Sequence, residues 1–135
     1  MIARRFVLAA AAAALSSCAG LGGGRPLSRA PELPAAEGEV RFTRLAGSGT
    51  AVSVRVENLA EPERLDPPGY AYVAWVRTGR EDPPSNLGCL SMRGDFSGEL
   101  RALTEVDCSE LFITAEATGD AERPTGRRLL WAACD

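Results

Sequence analysis

The alternation of apolar and polar residues in Thr50–Glu57 constrains the fold of this chain most strongly. Val52, Val54 and Val56 recur at every second position, which is the period of a half-buried β-strand. Six further short runs are strand-like and are separated by turn residues: one begins at Val40, and the others span residues 70–78, 87–92, 98–103, 110–118 and 127–134. Because no long helical period appears among these runs, the pattern predicts an all-β, immunoglobulin-like antiparallel sandwich of about seven strands over residues 38–135.

The first residues follow a different pattern. Arg4 and Arg5 precede an uninterrupted apolar run, Phe6–Leu15, and Ser16-Ser17-Cys18 follows it. Ten residues of helix span about 15 Å, only half of a bilayer's hydrocarbon core, so this run is too short to cross a membrane. Leu15-Ser16-Ser17-Cys18 resembles the lipobox of bacterial lipoprotein signal peptides. The resemblance implies a signal peptide over residues 1–17, cleavage before Cys18, and a diacylglyceryl or acyl group on Cys18. The alternative is an ordinary secretory signal with an incidental cysteine.

Residues 18–37 follow the lipobox and are rich in glycine and proline, including Gly22-Gly23-Gly24. This composition predicts a flexible tether between the lipidated N-terminus and the folded domain. The lipid would hold the domain at a bilayer, outside the cytoplasm. Ala19 is not the Asp that resembles an inner-membrane retention signal, which favours the outer membrane, facing the periplasm, in a cell with two membranes.

The composition narrows the possible functions. All 15 basic residues are arginine, and the chain contains no His. Two of these arginines precede Cys18, so 13 remain against 18 acidic residues, a net charge of −5 after cleavage. We therefore expect no nucleic-acid partner. Without His or Lys the usual general bases are missing, so we expect no enzyme activity, no metal site and no cofactor.

The second half of the chain resembles the extracytoplasmic domain of anti-sigma-K factors. Three stretches carry the likeness, in this order: Pro67-Pro68-Gly69-Tyr70 with Tyr72-Val73-Ala74-Trp75-Val76, then Asn86-Leu87-Gly88-Cys89-Leu90 with Phe96-Ser97-Gly98, then Ile113–Asp120 with Arg123-Pro124-Thr125-Gly126. The resemblance covers about residues 40–133 and implies the sandwich fold, with no catalytic residue to transfer. A signal and a tether stand here where that family has a sigma-binding segment and a transmembrane helix. Anti-sigma activity is therefore not expected.

Three cysteines remain after Cys18. If the last hairpin turns near Glu122, residue 134 lies opposite residue 110 and Cys108 lies diagonally beside Cys134. This arrangement predicts a Cys108–Cys134 disulfide, and the absence of any internal bridge is the alternative. Cys89 alternates with larger hydrophobic residues and is expected on the outer face, as a free or intermolecular thiol.

These features favour a non-enzymatic, membrane-anchored envelope lipoprotein that presents a small sandwich to an unidentified envelope protein. One alternative is a small-molecule or glycan binding module that uses four aromatic residues: Tyr70, Tyr72, Trp75 and Trp131. Another alternative is an enzyme that relies on two convergent carboxylates in a cleft.

Overall fold

The computed structural model describes residues 24–134, which form ten β-strands and one turn of 3₁₀ helix, Pro62–Arg64. The strands are β1 (Arg25–Pro26), β2 (Ser28–Arg29), β3 (Glu37–Arg44), β4 (Thr50–Glu57), β5 (Ala71–Arg77), β6 (Ser85–Cys89), β7 (Ser91–Met92), β8 (Gly98–Thr104), β9 (Glu110–Glu116) and β10 (Leu130–Ala133).

The strands form two antiparallel sheets of five strands each. The first sheet has the order β1-β3-β4-β8-β7 and the second has the order β2-β10-β9-β5-β6. Apolar side chains of both sheets form one core between them, so the predicted antiparallel β-sandwich is confirmed.

Period-two alternation explains which residues fill this core. Val52, Val54 and Val56 of β4 are buried, as the sequence pattern predicts. The second sheet contributes residues with the same spacing, such as Leu111 and Ile113 of β9. Successive side chains of a strand point to opposite faces, so every second residue reaches the core.

The strand count differs from the seven expected because of two local features. The run predicted over residues 87–92 is divided between the sheets: β6 pairs with β5, whereas β7 pairs with β8. Leu90 lies between the two strands. Within β6 the pairing with β5 shifts register next to Gly88, whose φ of 141° is rarely adopted by residues with a side chain. The other two strands, β1 and β2, lie in the predicted tether.

The structure corrects the predicted tether over residues 18–37. Within that range β1 pairs with β3 of the first sheet and β2 pairs with β10 of the second. Four apolar side chains of this segment are buried in the core: Leu27, Ala30, Leu33 and Ala36. Their wide spacing among prolines hides them from a search for strand or helix periodicity. The folded domain therefore includes residues 25–37, and a tether after Cys18 could comprise only residues before them.

Candidate functional site

A long loop, residues 117–129, connects β9 to β10 and lies across the outer face of the second sheet. On this face Val73, Trp75 and Phe112 form a small apolar cluster, and Ala121 of the loop packs against it. Trp75 is completely buried, although it lies outside the main core. The structure thus places Trp75 beneath this loop.

A chain of hydrogen bonds holds the loop in place. The Trp75 indole N–H donates to Thr114 Oγ1 at 2.9 Å, and the Thr114 hydroxyl donates to Glu116 Oε2 at 2.5 Å. Glu116 also accepts from the Thr125 N–H at 3.0 Å, the Thr125 hydroxyl at 2.6 Å and the Gly126 N–H at 3.2 Å. Residues 114 and 116 lie two apart on one strand and therefore share its outer face.

Glu116 as a whole residue is only 3 % exposed. Burial by itself raises its pKa, but the hydrogen bonds from Thr114, Thr125 and Gly126 outweigh burial and leave the pKa below its ordinary value. Four donors occupy the sites that a carboxylate offers as an acceptor. Glu116 is thus a structural anion that fastens the loop, and it has no free lone pair for general-base catalysis.

The concave surface beside this carboxylate is the best-formed candidate site. It is a cleft of about 420 Å³, which we call the Tyr70 cleft. Its lining residues come from the loop before β5, the end of β9, the 117–129 loop and the N-terminal segment: Glu32, Leu65, Asp66, Pro67, Pro68, Tyr70, Ala115, Glu116, Ala117, Thr125, Gly126, Arg127 and Leu129. A largely apolar cleft with a few polar groups is typical of ligand sites.

Local sequence explains how Tyr70 comes to line the cleft. The Tyr70 N–H donates to the Glu116 carbonyl at 2.8 Å, which fixes the backbone against the end of β9. At Gly69 an added Cβ would lie 2.9 Å from the Ala115 Cβ, so only glycine permits this approach. With its backbone held there, the Tyr70 side chain remains 69 % exposed.

Two polar groups complete the rim of the cleft. Arg127 forms an ion pair with Glu32, which joins the 117–129 loop to the N-terminal segment. Asp66 is exposed and adds a further carboxylate to those of Glu32 and Glu116. The cleft therefore offers an exposed aromatic ring, apolar walls, hydrogen-bond acceptors and one guanidinium donor.

The structure separates the four aromatic residues that the sequence suggested for a ligand groove. Tyr72 points into the main core and Trp75 lies beneath the loop, both fully buried. Trp131 is half-buried on the outer face of the second sheet, under the guanidinium of Arg128. Only Tyr70 lines the cleft.

The predicted cysteine pairing agrees with the structure. Cys108 and Cys134 form a disulfide with a Cα–Cα distance of 5.7 Å, and Cys89 is free and exposed on β6. The predicted register is wrong by one residue, since Glu110 lies opposite Ala133 rather than residue 134. A shift of one residue would turn Leu130 away from the core, which explains the observed register. Cys18 lies outside the described residues.

Two further features of the described part of the chain concern metal binding and the spanning of a membrane. Within residues 24–134 no group of three or more His, Cys, Asp or Glu side chains could hold a metal ion. No helix in the same range is long and apolar enough to cross a membrane.

No protein-family model matches this chain, and no curated protein or solved structure does either. The resemblances to a lipobox and to the anti-sigma-K outer domain therefore stay predictions.

Sequence reasoning missed the parts of the site that depend on tertiary contacts. Glu32 was assigned to the tether, and its ion pair with Arg127 joins residues 95 positions apart. The alternate spacing of Thr114 and Glu116 is visible in the sequence, but Thr125, the partner of Glu116, lies nine positions further along, within the 117–129 loop. The only signal of the Glu116 site in the sequence is this pair of polar residues at alternate positions of a strand.

Proposed function

We propose that this protein is a non-enzymatic envelope lipoprotein whose sandwich binds a partner protein at the Tyr70 cleft. One observation carries the binding proposal: Tyr70 remains 69 % exposed in a cleft of about 420 Å³, whereas Tyr72 and Trp75 are fully buried. Exposed tyrosines on apolar concave surfaces are typical of the energetic centres of protein interfaces.

The anchoring half of the proposal rests on the lipobox resemblance at Cys18. Acylation of Cys18 would place the domain outside the cytoplasm, on the outer membrane facing the periplasm in a cell with two membranes. A Cys18→Ser variant should lose the lipid and move from the membrane fraction to the soluble fraction. Unchanged membrane association of that variant would refute the anchor.

The absence of catalysis is supported by the chemistry of the cleft. Glu116 is saturated by four donors, and Glu32 is engaged by Arg127. Asp66 therefore has no second free carboxylate among the residues that line the cleft, whereas glycoside hydrolysis needs two carboxyl groups.

A photo-reactive amino acid placed at residue 70 tests partner binding in cells. Phe96 is a suitable control position because it is a 46 % exposed aromatic residue outside the cleft. We expect one discrete cross-linked species from position 70 and none from position 96. Arg127→Glu should abolish that species, because it removes the guanidinium from the rim. Identical adducts at both positions, or none at position 70, would contradict the proposal.

A saccharide is the second candidate ligand, and one observation favours it. The exposed Tyr70 ring lies beside Asp66 and the Glu32–Arg127 pair, so a sugar could place its apolar face on the ring and its hydroxyls against the acids. Calorimetric titration with chitotriose, cellotriose and maltotriose tests this candidate. Heat from one sugar that disappears in Tyr70→Ala would support it, and no heat from any of the three would reject it.

A further inference from the structure

The outer face of the first sheet has a regular charge pattern. Across β3, β4 and β8 the pairing sets Arg41 opposite Ser53 and Ser53 opposite Arg101. The small serine leaves a space between the two guanidinium-bearing side chains. The next row toward the Gly47–Gly49 turn is uncharged, with Thr43, Ala51 and Leu103.

These two rows form a shallow hollow of about 320 Å³, which we call the Arg41–Arg101 hollow. Arg101 forms no ion pair within the described residues, and Arg41 contacts Glu39 only at 4.0 Å. Leu103, at one side of the hollow, is 73 % exposed, the highest value among the exposed large hydrophobic residues of the described chain. The hollow therefore combines two accessible cations with an exposed apolar side chain.

The two outer faces of the sandwich differ in how they are covered. The 117–129 loop covers much of the second sheet and buries Trp75. On the first sheet the side chains of Arg41, Arg55, Arg101 and Leu103 are all exposed. This face is consequently available for contact with another surface.

The chain enters the domain beside this face. β1 is the edge strand of the first sheet, and Gly24 lies against the side chains of both Glu39 and Arg41, where an added Cβ would be 3.3 Å from the Arg41 Cγ. Only five residues lie between Cys18 and Gly24, so the two can be at most about 20 Å apart when the chain is fully extended. If Cys18 carries the lipid, this reach holds the Arg41 edge of the sheet close to the bilayer surface.

We propose that the outer face of the first sheet docks on the bilayer that the Cys18 lipid enters, an inference that rests on the proposed anchor. Arg41 and Arg101 bind the phosphates of lipid headgroups, because a guanidinium forms paired hydrogen bonds with phosphate oxygens. Leu103 contacts the apolar part of the interface beside them. Four acidic residues share this face. Glu99 is bound by Arg93 at 2.7 Å and Glu39 lies 4.0 Å from Arg41, whereas Glu37 and Glu57 pair at the end of the strands opposite the hollow.

Docking by the first sheet determines which parts of the domain face away from the bilayer. The mature chain is acidic, so a random orientation would bring carboxylates toward the headgroups. The Tyr70 cleft is built from the N-terminal segment, the loop before β5 and the 117–129 loop, and none of its lining residues belongs to the first sheet. The cleft thus remains accessible to a partner while the first sheet faces the lipid.

Fluorescence quenching by a spin label on lipid headgroups tests the proposal with the full lipidated chain in vesicles of phosphatidylcholine and phosphatidylglycerol. Cys89, free and exposed on the second sheet, accepts a fluorophore without mutation. A Thr43→Cys, Cys89→Ser variant places the same fluorophore on the outer face of the first sheet. We expect several-fold stronger quenching at position 43 than at position 89.

Charge reversal identifies the docking residues. Arg41→Glu with Arg101→Glu should reduce quenching at position 43 to the level seen at Cys89, because each arginine near an anionic surface contributes about fivefold to binding. Arg80→Glu with Arg123→Glu changes the net charge equally, at exposed loop residues next to strands of the second sheet, and should leave the quenching unchanged.

Equal quenching at positions 43 and 89 on vesicle-bound protein would overturn the docking proposal alone. An equal loss of quenching at position 43 in the Arg41→Glu, Arg101→Glu variant and in the Arg80→Glu, Arg123→Glu variant would overturn it as well. Such a result would indicate that only the net charge of the protein matters. Failure of the wild-type chain to float with the vesicles would instead overturn the lipid anchor, and the docking proposal with it.

Discussion

Trp75 and Thr114 are joined by a buried hydrogen bond between neighbouring strands, with the indole N–H donating to Oγ1 at 2.9 Å. The same hydroxyl donates onward to Glu116, which in turn accepts from the loop at Thr125. One threonine therefore connects a buried aromatic residue to the carboxylate that fastens the 117–129 loop.

Replacing Thr114 with valine should destabilise the domain by about 2 kcal/mol. The substitution keeps the shape but leaves the Trp75 N–H buried without a partner and removes a donor from Glu116. Urea unfolding followed by tryptophan fluorescence measures the loss. Thr118→Val, at an exposed position just after the same strand, is the matched control and should change the free energy of unfolding little. Equal losses in the two variants would show that the hydroxyl of Thr114 is unimportant.

Acid should weaken the fold through Glu116. Because hydrogen bonds lower its pKa in the folded state below the ordinary 4.5, the unfolded chain binds the proton more readily. The contribution of Glu116 to stability is fully present above pH 4.5 and is lost as the pH falls through the folded-state pKa. Glu116→Gln should be less stable at neutral pH and should lose this part of the pH dependence.

Unfolding at a series of pH values checks the Glu116 prediction. Glu122→Gln, an exposed change in the same loop, should preserve the wild-type profile. If Glu116→Gln shows the same dependence of stability on pH as the wild type, Glu116 is not responsible for the loss of stability in acid.

Tyr72 should remain protonated well into the alkaline range while the protein is folded. Its hydroxyl donates to the Ala60 carbonyl at 2.5 Å, and burial, with a smaller contribution from Glu63, raises its pKa far above 10.0. Because the pKa of Tyr72 is higher in the folded than in the unfolded protein, its contribution to stability is fully present below pH 10.0, the ordinary pKa. This contribution is lost as the pH rises from 10.0 through the folded-state pKa. Ultraviolet titration should show Tyr72 ionising only with unfolding. Ionisation of both tyrosines in the folded state would contradict this.

The Tyr72 hydrogen bond can be tested separately by mutation. Tyr72→Phe should cost about 1–2 kcal/mol, because it leaves the Ala60 carbonyl without its donor. Tyr70→Phe is the control, since Tyr70 is exposed and should tolerate the change.

The Cys108–Cys134 disulfide should stabilise the domain by about 3 kcal/mol, as expected for closing a loop of this length. Cys108→Ser with Cys134→Ser should lower the free energy of unfolding by that amount. Cys89→Ser should leave it unchanged, because Cys89 is free. Peptide mapping without reduction provides a direct check, and a bridge that contains Cys89 would refute the pairing.

The strands and their buried faces could be predicted from the sequence, because each depends on a pattern within a few neighbouring residues. The valines of β4 alternate with polar residues, and this alternation alone fixes the strand, its buried face and, with the neighbouring runs, the sandwich. The odd number of cysteines after Cys18 limits the chain to one internal bridge, and the position of the last hairpin indicates that Cys108 pairs with Cys134. The register of β9 against β10 was harder to predict, because a shift of one residue leaves the composition of the hairpin unchanged. Only packing of the core selects between the two registers.

The sequence by itself determined an all-β sandwich, the position of most strands and the Cys108–Cys134 pair, because period-two burial and turn residues are written into short segments. Only the tertiary structure decided that Leu27 and Leu33 belong to the core, that Trp75 lies beneath a loop, and that Tyr70 stays exposed. These outcomes depend on contacts between residues far apart in the chain, such as Glu32 with Arg127 and Glu116 with Thr125. Such contacts form only after both sheets have brought their connecting loops together.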